Sequence, residues 1–371
     1  MRLALREMRR RPGRFTVAAA ILTLIALLLM FLGGLLDGLL AGSTGAYRAQ
    51  QADLIAYSSD AEESLVRSRI TPEVRAEVAR AADGARVAGL GSVQLGARLD
   101  GRGPRDLVPV VLFGFEAPPR GIDGDPPPPG EVYADDSLRA EGVERGDVVR
   151  LGADRTPVTV IGFLDDSRYS GQATLWGSLP TWRAVLEANR PGARVGEGVV
   201  QALVIGGGGS APAPAARDID DATGGATSTL TVDAAIEALP GVAQQRTVFN
   251  QIIAVTVVVA LVVVALFFAL ITVERTALYG VLKAIGASSG TLFAGVLLQA
   301  LVVTLVAAVI GIAASLALDA AIPAGSLPFL ADPARLLTNV GYLVVASVVG
   351  CAFSLRRVLR VDPARAIGGE G

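Results

Sequence analysis

The chain has 371 residues, 51 % of them hydrophobic and 18 % charged, and 33 basic against 35 acidic side chains leave a formal net charge of −2. It has no histidine, a single cysteine (Cys351) and a single lysine (Lys283), which excludes a Ser-His-Asp triad, a zinc-binding helix with paired histidines, imidazole ligation of metal or haem, and an intrachain disulfide. A phosphate-binding P-loop needs a lysine after its glycines, and Lys283 sits instead in Val-Leu-Lys-Ala-Ile-Gly, so no nucleotide-binding enzyme of that kind is expected in this chain.

Arg2, Arg6, Arg9, Arg10, Arg11 and Arg14 open the chain with Leu3, Ala4 and Met8 among them. Residues 1–15 are expected to form an amphipathic segment on anionic lipid. No charge then occurs from Phe15 to Leu36, Thr247 to Val273, Ala284 to Leu318, or Leu336 to Leu355. Each run reaches the roughly 20 residues that cross a bilayer as helix, and predicts spans at 16–41, 249–273, 291–318 and 337–355. Gly286, Ser288, Ser289 and Gly290 mark a turn before the third. The length of the first run and its Gly33-Gly34-Leu35-Leu36 continuation fit a retained anchor better than a cleaved signal peptide.

Basic residues in short loops set orientation. Twelve lie in the N-terminal segment, the loop between spans two and three, and the tail 356–371; only Arg335 lies between spans three and four. Both termini are therefore expected in the cytoplasm, with residues 42–246 outside. Residues 37–246 carry twenty bases and twenty-nine acids, which agrees with that side.

The 42–246 interval reads as a mixed α/β domain large enough to bury its own core. Strands are expected at 53–58, 86–93, 108–115, 148–151, 158–163 and 199–205. Thr71 and Pro72 start a helix that runs to Ala82, and 179–189 and 232–239 read as shorter ones. Asp125 to Pro129 is a stiff connector, and Gly206 to Gly225 a flexible excursion. Three acid pairs, Asp135-Asp136, Asp165-Asp166 and Asp220-Asp221, are either cation ligands or solvated turn residues.

The one-plus-three span layout and the loop Glu274-Arg-Thr-Ala-Leu-Tyr-Gly-Val-Leu-Lys-Ala-Ile-Gly-Ala-Ser288 together resemble the FtsX/MacB-type permease family of ABC transporters. Glu144-Arg-Gly-Asp-Val-Val-Arg-Leu151 and the closing Ser354 to Ile367 are similar to further segments of that family. The resemblance implies a four-helix membrane protein with an extracytoplasmic α/β domain between helices 1 and 2, multi-pass in a bacterial cell membrane. It also implies a cytoplasmic ABC ATPase subunit carrying ATP and Mg, a second copy of the chain, contact with lipid, and no nucleic acid; an extracytoplasmic protein partner is an open alternative. The segment 274–289 would be the coupling helix that receives movement from the ATPase, with Glu274, Arg275, Leu278, Leu282, Lys283, Ile285 and Gly286 as its contacts. Apolar residues at this spacing can dock in a partner's groove.

The segment Asp166 to Trp182, with Tyr169, Ser170, Leu175, Trp176 and Trp182, most resembles the HrtB/DevC-like branch. An exporter of hydrophobic or amphiphilic compounds is then implied, with haem among the candidate substrates and no cofactor in the chain itself. A tyrosine phenolate can bind ferric haem, which makes Tyr47, Tyr169 and Met30 candidate substrate residues. Asp37, the one acid at the end of span one, is the fourth. The alternative is a mechanotransmitting regulator of a cell-wall hydrolase, as in the cell-division member of the family. Gly33, Gly34, Gly38, Gly341 and Gly350 would permit close helix approach.

Overall fold

The computed structural model describes residues 12–99, 103, 106–193, 195–207, 211–274, 281, 285, 288–322 and 327–358. Most of the N-terminal basic segment and most of the tail, including the Arg360 to Ile367 stretch, lie outside the described residues. The order is α1 (Pro12–Arg48), β1 (Leu54–Ser58), α2 (Pro72–Ala81), β2 (Val87–Arg98), β3 (Val108–Phe115), β4 (Glu131–Asp135) and the single turn α3 (Ser137–Ala140). There follow β5 (Val148–Leu151), β6 (Thr156–Leu164), β7 (Ala173–Ser178), α4 (Leu179–Asn189), β8 (Ala202–Ile205), α5 (Ala216–Ala222), β9 (Thr227–Thr231) and α6 (Val232–Ala238). Three long helices close the chain: α7 (Val242–Glu274), α8 (Ser289–Ala321) and α9 (Pro333–Val358). Contacts divide the chain into a helical unit, Met1–Gly38 with Gln245–Gly371, and a sheet unit, Leu39–Gln244.

Among the described residues of the helical unit, four helices are long and apolar enough to cross a membrane. All four run past the expected spans at both ends, because an uncharged run marks the stretch that suits hydrocarbon while backbone bonding continues beyond it. Two of these helices start at a side-chain cap. Ser288 Oγ accepts from Thr291 N at 3.2 Å before α8, and Asp332 Oδ2 accepts from Arg335 N at 2.9 Å before α9, whose first residue is Pro333. On α7, Ile253, Ala260, Val264, Phe268 and Ile271 face a core shared with Leu22, Ala26 and Leu29 of α1, Ala300 and Val303 of α8, and Leu343 and Ala346 of α9. The opposite side of α7, with Val255, Val259, Val262, Leu266 and Leu270, is exposed and equally apolar. A helix apolar all round suits lipid. Buried hydroxyls are satisfied inside the unit: Thr304 Oγ1 and Ser347 Oγ lie 2.6 Å apart between α8 and α9, and Thr256 donates to Ile252 O at 2.9 Å.

The sheet unit is one nine-stranded sheet in the order β3-β7-β4-β6-β5-β2-β8-β1-β9, with β3 also paired to β2. That extra pairing closes β3, β7, β4, β6, β5 and β2 into a ring, leaving β8, β1 and β9 as an extension. β2 can serve both parts because it is 12 residues long: Val87–Leu90 pair with β8, Leu90–Ala97 with β3, and Ala97–Arg98 with β5. The ring is mixed, with β3–β7 and β4–β6 parallel.

Trp182 of α4 lies against Gly91 and Gly114, where an added Cβ would come within 2.5 and 2.4 Å of its side chain. Those glycines let a large aromatic reach the sheet. Three strands fall outside the expected set: β4, β7 and β9. β7 is buried at all six positions and so has no alternating pattern to read, while β9 (Thr-Ser-Thr-Leu-Thr) is mostly hydroxylated. The stretch Gly206 to Gly225, expected to be flexible, contains α5, which is anchored by buried Ile219.

Two acid pairs have internal structural work. Asp135 accepts from Ser137 N, Ser137 Oγ, Ser167 N and Ser167 Oγ at 2.5 to 3.2 Å. Asp220 accepts from Thr227 Oγ1, Thr229 N and Thr229 Oγ1 at 2.6 to 3.1 Å.

Candidate coupling and substrate sites

Of the expected coupling residues, Arg275, Leu278, Leu282, Lys283 and Gly286 lie outside the described residues. Glu274 is the exposed last residue of α7. Ile285 N donates to Val281 O at 3.1 Å, the spacing of one α-helical turn, and the two side chains are 75 % and 61 % exposed. Two large apolar side chains on one turn are open to lipid or to a partner surface.

In the helical unit, Met30 is buried with Phe329, Ala331 and Leu336, and a Cβ on Gly311 would come within 2.8 Å of its sulfur. Asp37 is held by Arg335: Nε lies 3.2 and 3.0 Å from its two carboxylate oxygens and Nη2 lies 2.7 Å from Oδ1. Their side chains are 14 % and 29 % exposed. The segment before α9 makes this pairing by packing on the small residues of α1. A Cβ at Gly34 would be 2.4 Å from the Phe329 ring, one at Gly38 would be 2.3 Å from the Pro328 carbonyl, and Leu330 N donates to Gly34 O at 3.0 Å. These glycines therefore receive this chain's own segment. Gly350 similarly admits the α7 backbone, with Leu261 O 2.9 Å from its added Cβ. Asn339, wholly buried, donates to Leu29 O at 3.2 Å.

In the sheet unit, Tyr47 and Tyr169 are both buried and stack with centroids 5.6 Å apart. Tyr57 Oη donates to Tyr47 Oη at 3.0 Å. Phe113 meets Tyr169 edge-on at 5.3 Å and stacks on Trp176 at 4.6 Å, and the indole Nε1 donates to Thr174 Oγ1 at 2.9 Å. Burial pushes the phenols of Tyr57 and Tyr169 above their ordinary value. Since ferric iron takes the phenolate, this environment suits Tyr169 to packing.

The loop carrying Tyr169 is tied to the end of α1. Ala46 N donates to Arg168 O at 3.0 Å, Ser170 N to Ser43 O at 3.0 Å and Gly171 N to Gly42 O at 2.9 Å. Arg48 adds an ion pair to Asp166 at 2.7 Å. Gly45 permits the approach, because a Cβ there would lie 2.5 Å from Asp166 O. Asp166 and Ser170 take positive φ of 49° to make the turn.

Residues 250–363 match the model of the FtsX-like permease C-terminal family. A candidate hemin transport system permease protein, HrtB, of Staphylococcus epidermidis is 21 % identical over 370 residues, covering 100 % of this chain and 99 % of the relative. An uncharacterised ABC transporter permease of Mycobacterium tuberculosis is 29 % identical over 383 residues, covering 99 % of each. Residues 250–363 are thus an FtsX-like permease C-terminal region, in a chain similar along its whole length to ABC transporter permeases. About half of the chain is also similar to two solved domains. One is the extracellular domain of the transporter YknZ from Gram-positive bacteria (TM-score 0.30, 15 % identity, 48 % of this chain and 98 % of that chain). The other is the periplasmic region of MacB from Actinobacillus actinomycetemcomitans (TM-score 0.35, 11 % identity, 50 % and 92 %).

Sequence reasoning missed Arg335 as the partner of Asp37. The signal was there: Arg335 is the one base between spans three and four, and Asp37 the one acid ending span one.

Proposed function

We propose that this permease is the membrane subunit of an exporter that uses ATP hydrolysis by its partner to expel a hydrophobic or amphiphilic compound, haem among them. The observation that carries the reading is the end-to-end similarity to a candidate hemin transport permease. In this reading both termini are cytoplasmic, two permeases pair with two ATPases, and the turn at Val281 and Ile285 docks on the ATPase. The pairing of Asp37 with Arg335 closes the carboxylate to any substrate until the pair parts. Opening it during the transport cycle would offer one acid and one base to an amphiphile beside α1.

The test is haem accumulation and survival in bacteria expressing the permease with its ATPase. Lower accumulation and higher tolerance, both lost in Ile285→Asp, are expected. If haem is unaffected while another amphiphile is expelled, the haem assignment falls. If a broad panel of amphiphiles accumulates as in cells without the pair, export itself falls and a regulator of an external protein takes its place.

A further inference from the structure

A cavity of about 90 Å³ lies in the sheet unit, lined by Val66, Arg69, Ser92, Val93, Gln94, Leu186, Arg190 and Gln201. Its polar lining is dominated by donors with spare capacity. Arg69 spends only Nη1, on Val66 O at 2.9 Å and Ser68 O at 2.7 Å. Arg190, just past the end of α4, spends only Nη2, on Gln94 O at 2.9 Å. Among the described residues no carboxylate pairs with either guanidinium, although this unit is rich in acids and Arg48 and Arg75 do find carboxylate partners.

Gln201 is 2 % exposed and its orientation is fixed. Its Oε1 accepts from Ser92 N at 2.5 Å and from Ser92 Oγ at 3.2 Å. Ser92 N can only donate, so the oxygen must face it, and the amide Nε2 is left without a protein partner. That donor is left for a guest in the space that Gln201 helps to line. A half-buried guanidinium with no anion is costly, and burial lowers the pKa of Arg69 from its ordinary value. Val66, Val93 and Leu186 supply apolar wall beside these donors.

We propose that this cavity binds a small carboxylate, its oxygens taken by Arg69, Arg190 and Gln201 Nε2 and its short apolar chain laid on Val66, Val93 and Leu186. Guanidinium forks match carboxylate geometry. At about 30 Å³ per displaced water, the space equals about three waters, which fits a carboxylate with two or three further carbons. The site lies wholly within the sheet unit and does not depend on the export reading.

The test uses full-length permease in nanodiscs, with acetate, isobutyrate and inorganic phosphate as probes and chloride at matched ionic strength as the control. Calorimetry or thermal shift reads binding. Isobutyrate is expected to bind more tightly than acetate or phosphate, and at least tenfold more weakly to Arg190→Gln, an exposed change that leaves the core alone. Gln201→Glu keeps the acceptor for Ser92 and places a carboxylate among the arginines. It should melt higher than the natural protein and lose the isobutyrate response. Tighter binding of phosphate overturns the carboxylate assignment. A natural protein that responds no more to carboxylate than to chloride, or a Gln201→Glu variant that responds as the natural protein does, overturns the site.

Discussion

Asp37 and Arg335 are 298 residues apart in sequence and share a bidentate contact, and their coupling can be predicted. Asp37 lies 22 residues beyond Phe15, about 33 Å along α1 at 1.5 Å per residue, which puts the pair near one face of a 30 Å hydrocarbon layer. Charge centres about 4 Å apart interact by about 4 kcal/mol at an effective dielectric of 20. The 14 % and 29 % exposure of the two side chains argues for about half of that. A double-mutant cycle with Asp37→Asn, Arg335→Gln and the double variant should therefore give a coupling of about 2 kcal/mol, a factor of about 30 in the unfolding equilibrium. Each single variant should cost more than the double, since it strands the other charge in a poorly hydrated place. The assay is reversible unfolding of the full chain in mixed micelles. A coupling below about 0.5 kcal/mol, the value of an ordinary surface pair, would refute the reasoning.

Gly45→Ala should destabilise the permease by about 1–3 kcal/mol through overpacking against the Asp166 carbonyl, read as a lower midpoint in the same unfolding assay. Tyr57 and Tyr169, with raised folded-state values, contribute stability that is complete below the unfolded phenol's pKa and is lost as pH rises through the folded one. An absorbance titration should thus show these phenols ionising later than exposed ones, together with unfolding; early ionisation of all six tyrosines would contradict their burial. Val281→Ser with Ile285→Ser, both exposed, should shift thermal stability by no more than about 0.5 kcal/mol while lowering affinity for the ATPase, measured by co-purification from detergent.

The helices were legible because lipid demands long uncharged runs, and four of them stand clear in this chain. Their ends were not: the first span was expected to stop at 41, whereas α1 runs on to Arg48, beyond the stretch that its uncharged run marks. In the sheet unit, strands with β-branched runs such as Val108–Phe115 were readable, while β7, buried on both faces, was not. Tyr47 and Tyr169 stood out as chemistry because of their residue type. The structure places both in a packed aromatic cluster, a role sequence alone cannot separate from ligation because the partners Phe113 and Trp176 come from distant strands.

The most direct measurement is ATPase activity of the permease and its ATPase in nanodiscs, titrated with haem and a panel of amphiphiles. Saturable stimulation by haem or another amphiphile, abolished by Ile285→Asp while the complex stays folded, is the predicted result. ATP hydrolysis indifferent to every compound, or stimulation that survives Ile285→Asp, would contradict coupled export through this turn.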